Sequence, residues 1–223
     1  MSLHTLGQSA NGHESRSLKT RTQLIEAAID VFGRVGFEGT TTRMLAKSAD
    51  VTLSAIPYHF GGKRELYMEA AQEIADCAHM RVTALCAILD DPDIASPEER
   101  LEKVLTGYLR GLLDDAEPRT WASFFARCAY DNDEAFQLIH DQAIAPFQEK
   151  LVAAVQMIAP SSINDEAVRL RMTAIVTGMA GFRLLRGILL RGMDWTELKS
   201  AHMAMVDALI HDLTRSDLLT GTP

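Results

Sequence analysis

Apolar residues recur along this chain at three- and four-residue steps, and no stretch shows the strict alternation of a half-buried strand. The pattern predicts an all-α fold of about nine helices. A first helix is expected from about Leu18 to Val35, with Leu24, Ala28, Val31, Phe32 and Val35 on one face and Gly36 at the C-terminal cap. Thr40 to Thr42 offer N-caps for a short helix, Arg43 to Ser48, followed by a turn at Asp50–Val51. Thr52 is expected to cap a third helix ending near Tyr58, before Gly61–Gly62. A long helix then runs from Lys63 to about Leu89 and stops at Asp90–Asp91–Pro92–Asp93. Ser96–Pro97–Glu98–Glu99 starts another, with a cap, a proline at the first helical position and acids near the positive dipole end. Pro118 opens the next, through about Tyr130, and Asn132 or Asp133 caps one running to about Ile158. Pro146 predicts a kink near Gln142–Pro146. After Pro160–Ser161–Ser162 a long helix is expected from about Asp165 to Leu190, and a last one from about Trp195 to Leu213.

Composition fits such a fold without narrowing it much. Of 223 residues, 47% are apolar, 23% charged and only 6% aromatic, which favours a helical globular chain with a real core. Charge is more informative. The net charge of −8 argues against a nucleic-acid partner, but its distribution does not. Residues 1–68 hold eight Lys/Arg against six Asp/Glu; the remainder holds fourteen against twenty-four. A local positive surface suffices to meet phosphates. Cys77, Cys86 and Cys128 include no CxxC pair, so neither a disulfide framework nor a zinc site is expected. Free thiols fit a reducing cytoplasm; a core role for these cysteines stands beside a redox-sensing one. No apolar run approaches the ~18 residues of a membrane span, and no membrane partner is expected. Residues 1–17 lack the apolar core of a signal peptide and are expected to form a flexible arm.

The chemistry concentrates in residues 40–67. Leu45, Ala46, Ala49, Val51 and Ile56 suit the contact between the two helices of a helix-turn-helix. Thr52, Ser54, Tyr58, His59 and Lys63 surround the second helix with groups that hold phosphates. A plain helical hairpin explains the apolar positions but not the run Tyr58–His59–Phe60–Gly61–Gly62–Lys63. No GxSxG, HExxH or Rossmann glycine pattern is present, and Gly62–Lys63 lacks the partners of a phosphate loop. No catalytic residue, metal ligand or cofactor is expected. The competing reading is a helical small-molecule-binding protein or enzyme that does not regulate DNA.

The stretch GFEGTTTRMLAKSADVTLSAIPYHFGGKRELY resembles the N-terminal domain of TetR-family transcriptional repressors. The matched features are Gly36–Phe37, Thr41–Thr42, Leu45–Ala46, Ala49, Val51, Ile56, Tyr58–His59–Phe60, Lys63 and Leu66. The resemblance implies phosphate contacts from Thr42, Tyr58, His59 and Lys63, with Thr41 and Thr52 beside them. It implies base-facing positions at Arg43, Leu53, Ser54, Ala55 and Pro57. His59 has a second reading, as a ring packed against the first helix, and Lys63 as a solvated first-turn residue. Two positions depart from the family: Asp50 replaces a usual glycine, and Pro57 a common aromatic. Leu53 and Ala55 offer only apolar contact, which leaves Arg43 as the main candidate for a strong base contact.

The segment from Trp121 through ASFFARCAYDNDEAFQLIHDQAIAPFQEKL, with the later MAGFRLLRGILLRGMDW, is similar to the C-terminal domain of CecR-like TetR regulators. That branch is associated with antibiotic and drug sensitivity. The implied organisation is an arm (1–17), a three-helix DNA-binding domain (18–67) and a helical ligand-binding and dimerisation bundle (68–223). Thr177, Gly178, Gly181, Leu184, Leu185, Ile188 and Leu189 are the candidates for a homodimer interface. His79, Trp121, Phe124, Phe125, Arg127, Cys128, Met172, Met179 and Arg183 are candidates for a small-molecule effector site, with Cys86, Asp131 and His140 as further groups. Core packing is the alternative for each apolar member, a salt bridge or solvated face for each polar one. The expected partners are a double-stranded DNA operator, a second copy of the chain and an unknown effector.

Overall fold

The computed structural model describes residues 6–113, 119–158 and 164–215, and these are mostly helical, with no strand among them. Helix α1 spans Leu6–Val35, α2 Thr42–Ser48, α3 Ala55–Phe60 and α4 Lys63–Cys86, which continues as a 3-10 turn, Ala87–Asp90. Helices α5 (Pro97–Leu113), α6 (Arg119–Asp131) and α7 (Glu134–Ile139) follow. A π-helical segment, His140–Ile144, joins α7 to α8, Ala145–Ile158. The chain ends in α9 (Asp165–Leu184), α10 (Arg186–Gly192) and α11 (Ser200–Arg215).

The chain divides into two compact units, one of Met1–Ala75 with Pro118–Ile139 and one of Asp76–Glu117 with His140–Pro223. In the first, α1 packs against α2, α3 and α6. Leu24, Ala28, Val31 and Phe32 are buried as expected, whereas Val35 lies at the edge of that face. Gly33 explains why α6 joins this unit: a Cβ there would lie 2.9 Å from the Phe124 backbone nitrogen, so only glycine permits the approach. In the second unit α5 packs against α8, α9 and α11, and α8 against α9. Leu105, Leu109, Phe147, Leu151, Met172 and Ile210 belong to its core.

Several boundaries differ from expectation. Helix α1 begins at Leu6, so residues 6–17 of the expected arm are helical; residues 1–5 lie outside the described part. Helix α3 begins at Ala55 rather than directly after a Thr52 cap, because Leu53 and Ser54 form a turn closed by the Ala55 N–H donating to Thr52 O at 3.0 Å. The cap of α7 is Asp133, whose Oδ1 accepts from Ala135 N and Phe136 N, each at 3.0 Å. The expected kink is the π segment, which ends two residues before Pro146. The expected helix from Asp165 to Leu190 breaks at Leu185, with an 84° bend between α9 and α10. Here tertiary contact overrides helical periodicity: Arg183 and Arg186 donate to the Leu112 and Leu113 carbonyls at the end of α5. The last helix begins at Ser200, later than Trp195, whose ring instead stacks on His202 at 3.8 Å. Pro118 and Pro160–Ser162 lie outside the described residues. Among the described residues no single helix is long and apolar enough to cross a membrane.

Candidate nucleic-acid interface

Helices α2 and α3 are held by a short, closed frame. Thr41 caps α2, its Oγ1 accepting from Met44 N at 3.2 Å, while Thr40 turns inward and donates to Gly36 O at 2.6 Å. Leu45, Ala46, Ala49 and Ile56 are buried between the helices, and Val51 is half-buried. The turn is a Schellman cap: Val51 N donates to Ala46 O at 3.0 Å and Asp50 N to Lys47 O at 3.3 Å. Asp50 has φ 53°, so the usual glycine is replaced by a residue held in the left-handed region. Gly61, at φ 93°, turns the chain from α3 into α4.

The outward side of this frame presents the predicted DNA residues. Thr41, Arg43, Thr52, Leu53, Ser54, Pro57 and Tyr58 are exposed, and Thr42, Ala55 and His59 are half-buried. Tyr58 is 73% exposed, with its ring edge-on to His59 at 4.9 Å. Arg43 and Lys47 have no ion-pair partner among the described residues, and both lie exposed on α2. Lys47 was missed by the sequence reading; its four-residue step from Arg43 places it on the same helix face. Lys63 is placed differently from the others. Its ammonium donates to Phe37 O at 2.9 Å and Thr40 O at 3.1 Å and sits 4.2 Å from the Phe37 ring centroid. It ties the start of α4 to the loop before α2.

Further polar contacts brace the unit. Tyr67 Oη donates to Asp133 Oδ2 at 2.6 Å, and Arg64 pairs with Glu134 through both guanidinium edges. Burial first, then the hydrogen bond to Asp133, holds the Tyr67 phenol well above its ordinary range. Arg21 pairs with Glu69 and lies 5.3 Å from the Phe60 ring centroid.

The residues expected around an effector are divided between the units. Trp121, Phe124, Phe125, Arg127 and Cys128 belong to the first. Phe124 and Cys128 fill its interior; Phe124 lies 5.2 Å from the Tyr67 ring, and burial pushes the Cys128 thiol up to about 12. That shift disfavours the thiolate on which redox sensing depends. Arg127 donates weakly to Arg34 O at 3.5 Å. His79, Met172, Met179 and Arg183 belong to the second unit. Met172 and Met179 are core, and His79 Nδ1 lies 2.9 Å from Gln142 O. Tyr108, which the sequence reading passed over, packs on Phe147 with ring centroids 4.9 Å apart. Burial raises its phenol to about 12, and its hydroxyl has no hydrogen-bond partner among the described residues. Among the described residues no group of three or more His, Cys, Asp or Glu could hold a metal ion.

The predicted pairing residues lie on one stretch of the second unit. Thr177, Gly178, Leu184, Leu185 and Ile188 are exposed, Gly181 is intermediate, and Leu189 packs partly against the core. A Cβ at Gly178 or Gly181 would meet nothing within 4 Å. On α11, Ala201, Ala204, Met205, Ala208 and Leu209 are also exposed.

Comparison with known proteins agrees with this geometry. The family described as bacterial regulatory proteins, tetR family, matches residues 24–70. The family described as the C-terminal domain of the HTH-type transcriptional dual regulator CecR matches residues 97–220. The CecR dual regulator of Shigella flexneri is 26% identical over 198 residues, 86% of this chain and 88% of its own. The transcriptional repressor AcnR of Corynebacterium efficiens is 30% identical over 108 residues, 48% of each chain. Among solved structures, the fatty acid degradation regulator FadR of Bacillus halodurans aligns with a TM-score of 0.58 at 15% identity, covering 91% of this chain and 95% of that one. AibR, solved with isovaleryl coenzyme A and operator DNA, aligns with a TM-score of 0.58 at 15% identity, covering 86% and 96%. Both share the fold.

Proposed function

This chain belongs to the TetR family of bacterial regulatory proteins and carries a CecR-type C-terminal domain, and from that premise we propose that it represses transcription as an effector-released homodimer on a two-fold operator. It is a DNA-binding transcriptional regulator and not an enzyme. Members of the family bind operators, typically as dimers, and respond to small molecules. The observation that carries the proposal is the closed α2–α3 frame, with its hydroxyls and the unpaired cations Arg43 and Lys47 turned outward.

In this reading Thr41, Thr42, Thr52, Ser54 and Tyr58 hold phosphates, while Arg43 and the start of α3 meet bases in the major groove. Lys63 acts from behind that surface by fixing the loop before α2. Pairing uses α9, α10 and α11. Their exposed apolar side chains and open glycines suit a close helix–helix face between two copies. The effector is proposed to bind in the second unit, beside Tyr108. An apolar molecule with one hydrogen-bond acceptor suits that phenol. That AibR was solved with an acyl-coenzyme A and its operator supports effector control in this fold. Cytoplasmic residence follows from the same reading.

The test is selection of bound fragments from genomic DNA at a stated salt concentration, followed by sizing of the complex. One enriched palindromic site bound by two chains is the expected result. No enriched site at low salt would favour a helical small-molecule-binding protein that does not regulate DNA.

A further inference from the structure

The reading helix carries none of the side chains that recognise bases by paired hydrogen bonds. Between Val51 and Gly61 there is no Arg, Lys, Asn, Gln, Asp or Glu. Guanine is commonly read by Arg or Lys and adenine by Asn or Gln, so neither readout is available from α3. Its exposed apolar groups are the conspicuous remainder. The described part of the first unit exposes six large hydrophobic side chains, Leu18, Val35, Met44, Leu53, Tyr58 and Tyr130, and three of these fall within residues 44–58.

Leu53 stands out among them. It lies two residues before the first residue of α3, in the turn closed by Ala55 N and Thr52 O, and is 50% exposed. The N-terminal end of a reading helix is the part that reaches base edges. The core of the frame does not need this side chain, because Leu45, Ala46 and Ile56 already fill the space between α2 and α3. In the major groove an alkyl group has one favourable, sequence-bearing partner, the 5-methyl group of thymine.

We infer that Leu53 is a specificity-determining residue that reads a thymine methyl in each operator half-site. This rests on the operator-binding reading above and adds the chemistry of recognition. The two hydroxyls that flank Leu53, on Thr52 and Ser54, lie 3.1 Å apart and engage each other. They are thereby less free to compete for the same base edge. Discrimination at this position therefore depends on excluding water from a methyl contact, not on a hydrogen bond.

The test uses the intact protein and the operator recovered by fragment selection. Each thymine is replaced singly by deoxyuridine, which removes the methyl and leaves the hydrogen-bonding edge unchanged. One thymine per half-site is expected to lose about fourfold in affinity, the worth of one buried methyl group. Leu53→Ala, which removes the contact in both half-sites, should bind the unmodified operator about sixteenfold more weakly and should no longer distinguish thymine from uracil at that position. Unchanged thermal melting of Leu53→Ala would show that the frame is intact; a Leu53→Met variant, which keeps an apolar side chain, should retain the preference for thymine. An operator bound tightly yet indifferent to every such replacement overturns this inference and leaves the operator-binding reading standing. Sensitivity that persists in Leu53→Ala overturns it too, by assigning the methyl to another residue. Failure to recover any operator overturns both.

Discussion

The two compact units solve opposite surface problems. In the first, an apolar interior around Phe32, Leu45 and Ile56 is supplemented by polar bracing: Lys63 on the Phe37 and Thr40 carbonyls, Tyr67 on Asp133, Arg21 on Glu69. Its outward reading surface is built of hydroxyls, two cations without an ion-pair partner among the described residues and a few apolar groups. The second also joins an apolar core to ion pairs such as Arg110–Asp207 and Arg169–Glu149, but its α9, α10 and α11 expose Leu184, Leu185, Ile188, Met205 and Leu209. A surface that meets DNA must exchange water and counterions with phosphates, so it stays polar. A surface that meets another protein gains by shedding water, so its centre is apolar. On the proposed reading a chain of net charge −8 holds both, because each requirement is local.

The largest way to break this contrast is to place a charge on the apolar face. On the proposed pairing through α9, α10 and α11, Ile188→Asp should leave a monomer in sedimentation and weaken operator binding on the order of 100-fold, the loss expected when two linked modules become independent. Retention of a dimer by this variant would move the pairing face elsewhere. Next comes the interior of the reading frame. Ile56, fully buried, should cost about 3 kcal/mol of stability on Ile56→Ala, seen in chemical denaturation.

Lys63→Ala separates bracing from DNA contact. A loss of about 2 kcal/mol in stability is expected from its two charge-assisted bonds, with operator affinity reduced but its salt slope unchanged. A phosphate contact would instead lower that slope by about 0.9. Asp50→Gly should gain about 1 kcal/mol by relieving the left-handed conformation, with operator affinity unaltered. The smallest effect concerns Tyr67. Because its pKa is raised in the fold, its stabilising contribution is fully present below the ordinary value of 10.0 and is lost as pH rises beyond that. Tyr67→Phe should therefore flatten the alkaline limb of a melting-temperature profile.

Much of the reading frame was legible because its signals are local. Thr41 caps, Ile56 is apolar between polar neighbours, and Asp50 sits where a left-handed turn is needed; each depends on residues within a few positions. The contacts of Lys63 were not legible, since its partners Phe37 and Thr40 lie 26 and 23 residues away. Nor was the division of the residues expected around an effector. Phe124 and Cys128 keep the helical spacing of a ligand wall, yet they pack in the first unit because Gly33 admits α6 against α1.

The sequence by itself determined the helical class, the position of the DNA-reading frame and its shortage of base-reading side chains, because periodicity, caps and residue chemistry act over a few positions along the chain. Only the tertiary structure decided that α9 breaks at Leu185, that Lys63 faces inward and that Tyr108 lies against Phe147. Gly181 and Gly187 flank Leu185 without fixing where the helix ends; the break coincides with contacts to carbonyls more than 70 residues away. Burial and long-range hydrogen bonds are properties of elements brought together, and a run of residues read in order contains no term for them.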